Sequence, residues 1–289
     1  MSFNPSLLHP DRARLIVAVL LGMSLGANQA TAQTVPPDAI LMPDARIENA
    51  EAARLGHQLY LSPQKLQTAD SAGGQLKLPR LASSLTAMQW LGHAEGDSLS
   101  LKIEQDHWIV AWKQRPADSQ VIVLSFDAPP KLMSEIKPTA PAGDGSVYLQ
   151  ASQASTSGEK IRYEPQTFKN TVGYWAGKQD LAEWQFEVGK AATYNVAILQ
   201  GCGQGQGGSR ARLSVSAGDK NAPQKAGSQT ELEFDVVETG GFQNFRWRHL
   251  GQIVVTEAGL HTLQVAPIEI KKNALMDVRA IHLIPVPQG

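Results

Sequence analysis

Short segments in which apolar and polar residues alternate occur throughout the chain. In AEWQFEV (182–188), Trp184, Phe186 and Val188 share one face, and the residues between them are acids or amides. Strict alternation of this kind is typical of a β-strand with one buried face. The same kind of pattern predicts further strands in the second half at 146–152, 160–165, 193–199, 211–217, 230–236 and 276–286, and a strand, a turn and a second strand within 251–265.

The first half contains similar segments, each bounded by Gly, Asp or Pro. They predict strands at 73–81, 84–92, 98–106, 107–113 and 120–126. Residues 45–61 could hold a short helix that ends near Gly56. Many short strands separated by turn signals predict an all-β protein, with an antiparallel sandwich in its second half.

Composition divides the chain into segments. Residues 127–145 contain four prolines, two glycines and few large apolar residues, which is typical of a linker. We therefore predict two β-domains, a small one at 76–130 and a larger one at 146–286, joined by a linker at 131–145. Residues 33–75 form an N-terminal extension to which the pattern assigns no clear structure.

The N-terminus has the composition of an export signal. Arg12 and Arg14 precede an apolar run at 15–27, and the small residues ATA follow at 30–32. The apolar run is shorter than the about 20 residues that a membrane span requires, so a cleaved signal peptide is the better interpretation. We expect residues 1–32 to be removed, leaving a periplasmic or extracellular protein with no membrane span.

Charge and cysteine content narrow the possible functions. The 289 residues carry a formal net charge of -1, which provides no electrostatic attraction to nucleic acid or to anionic membranes. Cys202 is the only cysteine, so no intrachain disulfide can form. An exported protein without disulfides must be stabilised by a sizeable core or by a bound ion.

Features that can indicate a cofactor or catalysis have simpler interpretations here. Gly203, Gly205 and Gly208 match G-x-G-x-x-G, but a predicted strand follows them where a nucleotide site requires a helix. The histidines lack the spacing of zinc ligands, and no Ser, His and Asp set is recognisable. The acidic residues of one predicted strand form its solvated face: Glu231, Glu233 and Asp235.

Six motifs follow one another in the second half. They are TVGYW (171–175), AEWQFEV (182–188), AATYNVAIL (191–199), TGGFQNF (239–245), EAGLHTLQV (257–265) and NALMDVRAI (273–281). Their order and spacing over about 140 residues resemble a family 6-type carbohydrate-binding module, which is a stronger signal than any single motif. The resemblance implies a jelly-roll or galactose-binding-like sandwich that binds a glycan without cleaving it.

The resemblance also implies which residues contact the sugar. In such modules aromatic side chains of the VGY turn and the TGG loop stand as platforms, which correspond to Tyr174 and to Phe242 or Phe245. A flat aromatic ring desolvates the apolar C–H face of a pyranose well. Asn273 corresponds to a residue that hydrogen-bonds hydroxyls, and Trp175 is a further candidate.

Modules of this type often hold a structural calcium through a carboxylate in the first strand. In this chain the strand YLQASQA (148–154) has Gln150 and Gln153 in place of an acid. Calcium favours charged oxygen ligands, which leaves Asp277 as the remaining candidate ligand. No other cofactor is expected.

Two longer segments resemble bacterial family 29 α-L-fucosidase-like proteins. KIRYEPQTFKNTVGYW (160–175) and residues 84–126 are similar to the non-catalytic β-domains at the C-terminal side of those enzymes. A (β/α)₈ barrel of about 250 residues cannot fit before residue 130. The chain therefore resembles the accessory part of a glycosidase without its catalytic barrel.

Several functions remain open at this stage. The first is an exported, non-catalytic carbohydrate-binding protein that assists polysaccharide or glycan breakdown. The alternatives are a structural or protein-interaction module on the same scaffold, or a remnant of a fucosidase. An enzyme would need a carboxylate pair in a cleft, for which the candidates near the aromatic turn are Glu164, Asp180 and Glu183. A sugar site requires the platform aromatics to converge in one concave site.

Overall fold

Antiparallel β-strands form nearly all of the regular structure. The computed structural model describes residues 34–63, 73–96, 98–218 and 230–287, so the predicted signal peptide at 1–32 lies outside the described residues. Within those ranges the regular elements are nineteen β-strands and three 3-10 helices of three residues each. The all-β fold class is confirmed. No helix in the described ranges is long and apolar enough to cross a bilayer.

Eight strands form two sheets before residue 130. They are β1 (Ile40–Leu41), β2 (Ala50–Leu55), β3 (Gln58–Pro63), β4 (Gly74–Pro79), β5 (Leu85–Trp90), β6 (Leu99–Ile103), β7 (His107–Trp112) and β8 (Ile122–Phe126). One sheet has the order β1-β2-β3-β8-β5 and the other has the order β4-β7-β6. Apolar side chains of both sheets are buried in one core, in which Trp90 contacts Trp112 edge to face at 5.5 Å.

The prediction of a helix at 45–61 is wrong. β2 and β3 form a hairpin there, and Gly56 adopts a left-handed φ of 54° at its turn. A glycine takes that conformation without the steric cost that a Cβ imposes. Leu59 and Leu61 are buried because β3 also pairs with β8. Long-range pairing has therefore overridden a weak local helix signal.

The predicted linker is part of the packed structure. Residues 133–135 form a 3-10 helix, and the buried Leu132 bridges to Leu81 in the first half. Thr139 exchanges backbone hydrogen bonds with the residues around Phe186 in the second half. From residue 34 onward the described chain belongs to one compact unit.

The second half is a sandwich of two antiparallel sheets. Its strands are β9 (Val147–Gln150), β10 (Ser155–Ser157), β11 (Arg162–Glu164), β12 (Thr171–Gly173), β13 (Leu181–Val188), β14 (Ala192–Cys202), β15 (Arg210–Ala217), β16 (Thr230–Asp235), β17 (Gly241–Val255), β18 (Gly259–Glu269) and β19 (Asp277–Pro285). The first sheet has the order β10-β13-β18-β15-β16. The second, the rim sheet, has the order β11-β12-β19-β14-β17, with β9 also paired to β19. As predicted, Trp184, Phe186 and Val188 are buried.

A buried arginine connects the two halves. Arg80 donates hydrogen bonds to the carbonyls of Ala154 at 2.7 Å and Ser152 at 3.0 Å, and its guanidinium lies 4.8 Å from the Tyr163 ring centroid. Burial lowers the pKa of Arg80 to about 10, so the group remains charged at neutral pH. Its carbonyl and aromatic partners compensate part of the cost of burying that charge.

Candidate functional site

A pocket of about 270 Å³ opens at one end of the rim sheet. We call it the rim pocket. Loops and strand ends that are far apart in sequence meet there, because β11, β12, β19, β14 and β17 are neighbours in the sheet. Its lining residues are Glu164, Lys169, Tyr174, Phe242, Gln243, Ala274 and Asp277.

Tyr174 stands at one side of the rim pocket directly after β12. Its φ of 61° is left-handed, and its side chain is 43% exposed. The Arg162 guanidinium carbon lies 3.4 Å from the ring centroid and covers one face of the ring. A non-glycine residue rarely adopts a left-handed φ, which makes this turn a constrained position. With this backbone conformation, the Tyr174 side chain is exposed while the side chain of the next residue, Trp175, is buried.

A buried carboxylate holds the turn that carries Tyr174. Asp180 accepts hydrogen bonds from the backbone N–H groups of Glu159 at 2.7 Å and of Ala176 and Gly177 at 2.8 Å each. The carboxylate thereby joins the start of the turn to the chain before β11. Buried carboxylates of this kind are stabilised by several backbone donors.

Phe242 borders the rim pocket near the start of β17. The glycine-rich segment that begins at the end of β14 gives it room: a Cβ at Gly201 would lie 1.9 Å from the Phe242 carbonyl oxygen, and one at Gly203 would lie 2.7 Å from the Phe242 ring. The interpretation of G-x-G-x-x-G as a loop between strands agrees with this geometry, since β15 follows. Sequence reasoning missed that these glycines accommodate a pocket aromatic.

Two carboxyl groups lie at the inner end of the rim pocket. Asp277 is only 5% exposed, and Glu164 is also buried. Both lie close to Gly173, since a Cβ there would be 2.8 Å from Asp277 Oδ1 and 3.0 Å from Glu164 Oε2. The Lys169 ammonium donates to Glu164. Burial, and then the Glu164 charge, raise the pKa of Asp277 to about 8, against the opposing effect of Lys169.

This donor set does not fit the calcium site that the resemblance implies. Asp277 and Glu164 are the two carboxyl groups that line the pocket among the described residues, and the Lys169 ammonium competes for one of them. In the described ranges no group of three or more His, Cys, Asp and Glu side chains could hold a metal ion. Calcium takes six to eight oxygen ligands, which this arrangement does not supply.

The structure separates the predicted sugar-contact residues. It brings Tyr174 and Phe242 to one pocket. Trp175 is fully buried, and its Nε1–H donates to the Val172 carbonyl, so it has no ring face for a ligand and its prediction as a contact is corrected. Phe245 is not among the lining residues, and the Arg279 guanidinium lies 3.9 Å from its centroid. Asn273 is exposed beside the lining residue Ala274.

The acidic residues proposed for an enzyme are also separated. Glu164 is at the rim pocket, whereas Asp180 is the buried acceptor of the turn. Glu183 is on β13, where Gln264 donates to it. The second carboxyl of the pocket is therefore Asp277, which comes from β19 and not from the neighbourhood of the aromatic turn.

The surroundings of Cys202 and of the acidic residues on β16 fit structural roles. Cys202 is buried, and burial raises the pKa of its thiol to about 11, with smaller contributions from Glu238 and Asp277. A thiol in this state is a poor nucleophile at neutral pH. On β16, Glu233 pairs with Arg210 and Arg212 of β15, as expected of a solvated face.

A second group of aromatic side chains lies on the outer face of the rim sheet. Tyr148 of β9 and Trp247 of β17 are 43% and 48% exposed, and both contact His282 of β19. Ile284 and Val254 are exposed on the same two strands, β19 and β17. We call these five residues the sheet-face patch.

Comparison with known proteins gives likenesses of fold only. No protein-family model and no curated protein sequence matches the chain. A family 35 carbohydrate-binding module from Clostridium thermocellum is similar at 15% identity and a TM-score of 0.37, over 49% of this chain and 98% of that one.

The likenesses extend to a family 6 module and to an enzyme. The C-terminal family 6 carbohydrate-binding module of a Zobellia galactanivorans laminarinase shows 12% identity and a TM-score of 0.30, over 48% of this chain and 98% of that one. An α-L-fucosidase from Vibrio sp. strain EJY3 shows 14% identity and a TM-score of 0.33, over 81% of this chain. The chain spans 39% of that fucosidase and 29% of a Podospora anserina mannanase that carries a family 35 module.

Proposed function

We propose that this chain is an exported, non-catalytic carbohydrate-binding protein that assists the breakdown of polysaccharides or glycans. The observation that carries the proposal is the convergence of Tyr174 and Phe242 on one concave pocket. A sugar platform requires the two rings to converge, whereas a purely structural role of either ring does not.

The pocket has the chemistry of a small sugar site. Tyr174 keeps part of its ring surface exposed, and Phe242 is partly exposed across the pocket. Gln243 and Asp277 add polar groups that can bond hydroxyls. Ligand pockets are typically about 300–1,000 Å³, so a pocket of this size suits one sugar ring better than a long chain segment.

Removal of the Tyr174 ring tests the proposal. The variant Tyr174→Asn is chosen because Asn tolerates a left-handed φ, so the turn should keep its conformation. We expect the wild-type protein to bind at least one member of a panel of immobilised fucosylated and plant cell-wall glycans. Affinity should fall about tenfold in the variant, which corresponds to about 1.4 kcal/mol. Thermal melting should be unchanged.

A tyrosine of equal exposure provides the matched control. Tyr148 is also 43% exposed, but it lies in the sheet-face patch, and Tyr148→Thr should leave glycan binding intact. Binding lost in Tyr148→Thr but kept in Tyr174→Asn would move the sugar site to the sheet face. Absence of binding to every glycan would contradict the proposal, and hydrolysis of a bound glycan would contradict its non-catalytic part.

The sheet-face patch favours one second candidate function, a protein-interaction module. Exposed aromatic and aliphatic side chains that lie together on one sheet face are typical of an interaction surface. Tyr148 and Trp247 have ring centroids 6.3 Å apart and form the centre of this patch. A second copy of the chain is the simplest partner with which to test this function.

Sedimentation velocity over a range of concentrations tests self-association. If the patch joins two copies, the wild-type protein should form a dimer, and Trp247→Gln should shift it to the monomer by removing the largest exposed apolar side chain of the patch. A wild-type protein that remains monomeric at every concentration would exclude a second copy as the partner.

A further inference from the structure

The rim pocket contains a buried carboxyl group that lacks a hydrogen-bond partner. In the described part of the chain, no donor forms a hydrogen bond to the Asp277 side chain, although the residue is only 5% exposed. Buried polar groups are usually hydrogen-bonded, because an unpaired one costs free energy. An unpartnered carboxyl that lines a pocket is therefore a group available to a ligand.

When Asp277 is ionised, the charges around it do not balance. Among the described residues, the inner end of the pocket has two carboxyl groups, and the one cation that lines it, Lys169, already donates to Glu164. The other nearby cations are directed elsewhere: Arg279 donates to the Phe168 and Lys169 carbonyls, and Arg162 lies over the Tyr174 ring. The Lys169 ammonium therefore pairs with Glu164, and none of the described cations forms an ion pair with Asp277.

The aromatic residues favour a cation at the same place. Tyr174 and Phe242 border the pocket that Asp277 lines. An aromatic ring face attracts a cation through its quadrupole, and the attraction increases when the cation is desolvated. An ammonium group also brings three donors, which a buried carboxyl without donors can accept.

We infer that the rim pocket selects a sugar that carries a protonated amino group, with Asp277 pairing the ammonium while the sugar ring contacts Tyr174 and Phe242. This inference rests on the proposed carbohydrate-binding function and adds its ligand class. The amino group replaces the missing partner of Asp277, and the C–H face of the ring remains free to stack on an aromatic ring. Neutral and N-acetylated sugars lack the charge that this arrangement recognises.

Three tetrasaccharides with the same β-1,4 backbone test the inference by calorimetry at pH 6. They are the tetramers of glucosamine, of N-acetylglucosamine and of glucose, which differ at the C2 substituent as ammonium, acetamide and hydroxyl. We expect the wild-type protein to bind the glucosamine tetramer at least tenfold more tightly than the other two. The isosteric variant Asp277→Asn should lose this preference and keep its fold.

A surface variant controls for general charge attraction. Asp118→Asn makes the same substitution at an exposed carboxyl that pairs with His93, and the preference should remain. Equal binding of all three tetramers by the wild type, or a preference that survives in Asp277→Asn or disappears in Asp118→Asn, would overturn the inference. If a neutral glycan still binds and its binding depends on Tyr174, the proposed function stands and only the preference for an amino sugar is wrong. If no glycan binds, both are wrong.

Discussion

Alanine in place of Asp180 is expected to lower the free energy of unfolding by about 4 kcal/mol. The carboxylate is fully buried and accepts three backbone hydrogen bonds, from Glu159, Ala176 and Gly177. A hydrogen bond to a charged group contributes about 1.5–3 kcal/mol, and bonds that share one acceptor are not additive. The variant leaves three N–H groups without their acceptor at the base of the turn that carries Tyr174.

Urea denaturation of the two proteins gives this difference directly. Asp118→Ala is the control, since its carboxylate pairs with His93 at an exposed position, where an ion pair contributes about 1 kcal/mol or less. A loss of less than about 1 kcal/mol in Asp180→Ala would show that the turn does not depend on this carboxylate.

The strands of the sandwich could be predicted because alternation directly reflects burial. The pattern at 182–188 matches β13 to within one residue, and its three large apolar side chains are buried. The helix expected at 45–61 failed because its apolar residues are buried by pairing with β8, more than 60 residues away. No local pattern contains that information.

The aromatic contacts of the site were predictable in part. Phe242 and Phe245 lie between Gly241 and Arg246, where the register of β17 with β14 is irregular, so the alternation of a regular strand does not decide which of them lines the pocket. The choice between Tyr174 and Trp175 depends on a left-handed φ at a non-glycine residue, which the sequence does not reveal.

The acidic end of the pocket could not be predicted from the sequence. Asp277 and Glu164 are separated by more than 100 residues and meet at Gly173 because β11, β12 and β19 are neighbours in one sheet. Gly173 itself lies in the motif that resembles a carbohydrate-binding module. The reason for a glycine there is steric, since a Cβ would be close to both carboxyl groups.

The contribution of Asp277 to the stability of the unliganded protein is expected to fall as the pH rises from about 4 to about 8. Its pKa is raised in the folded protein to about 8, whereas the pKa of an unperturbed aspartate is 3.8. Between these values the unfolded chain has lost the proton that the folded protein retains, so each pH unit favours unfolding by about 1.4 kcal/mol. The contribution is fully present below pH 4 and is lost above pH 8.

Comparison with Asp277→Asn isolates this contribution, because the amide cannot ionise and most of the other groups titrate alike in both proteins. The variant should become more stable relative to the wild type at each step from pH 5 to pH 8, as measured by urea denaturation without ligand. Curves that run parallel would show that Asp277 ionises in the folded protein as readily as in the unfolded chain. The pocket would then hold a full negative charge at neutral pH, and a cationic ligand would bind without first displacing a proton.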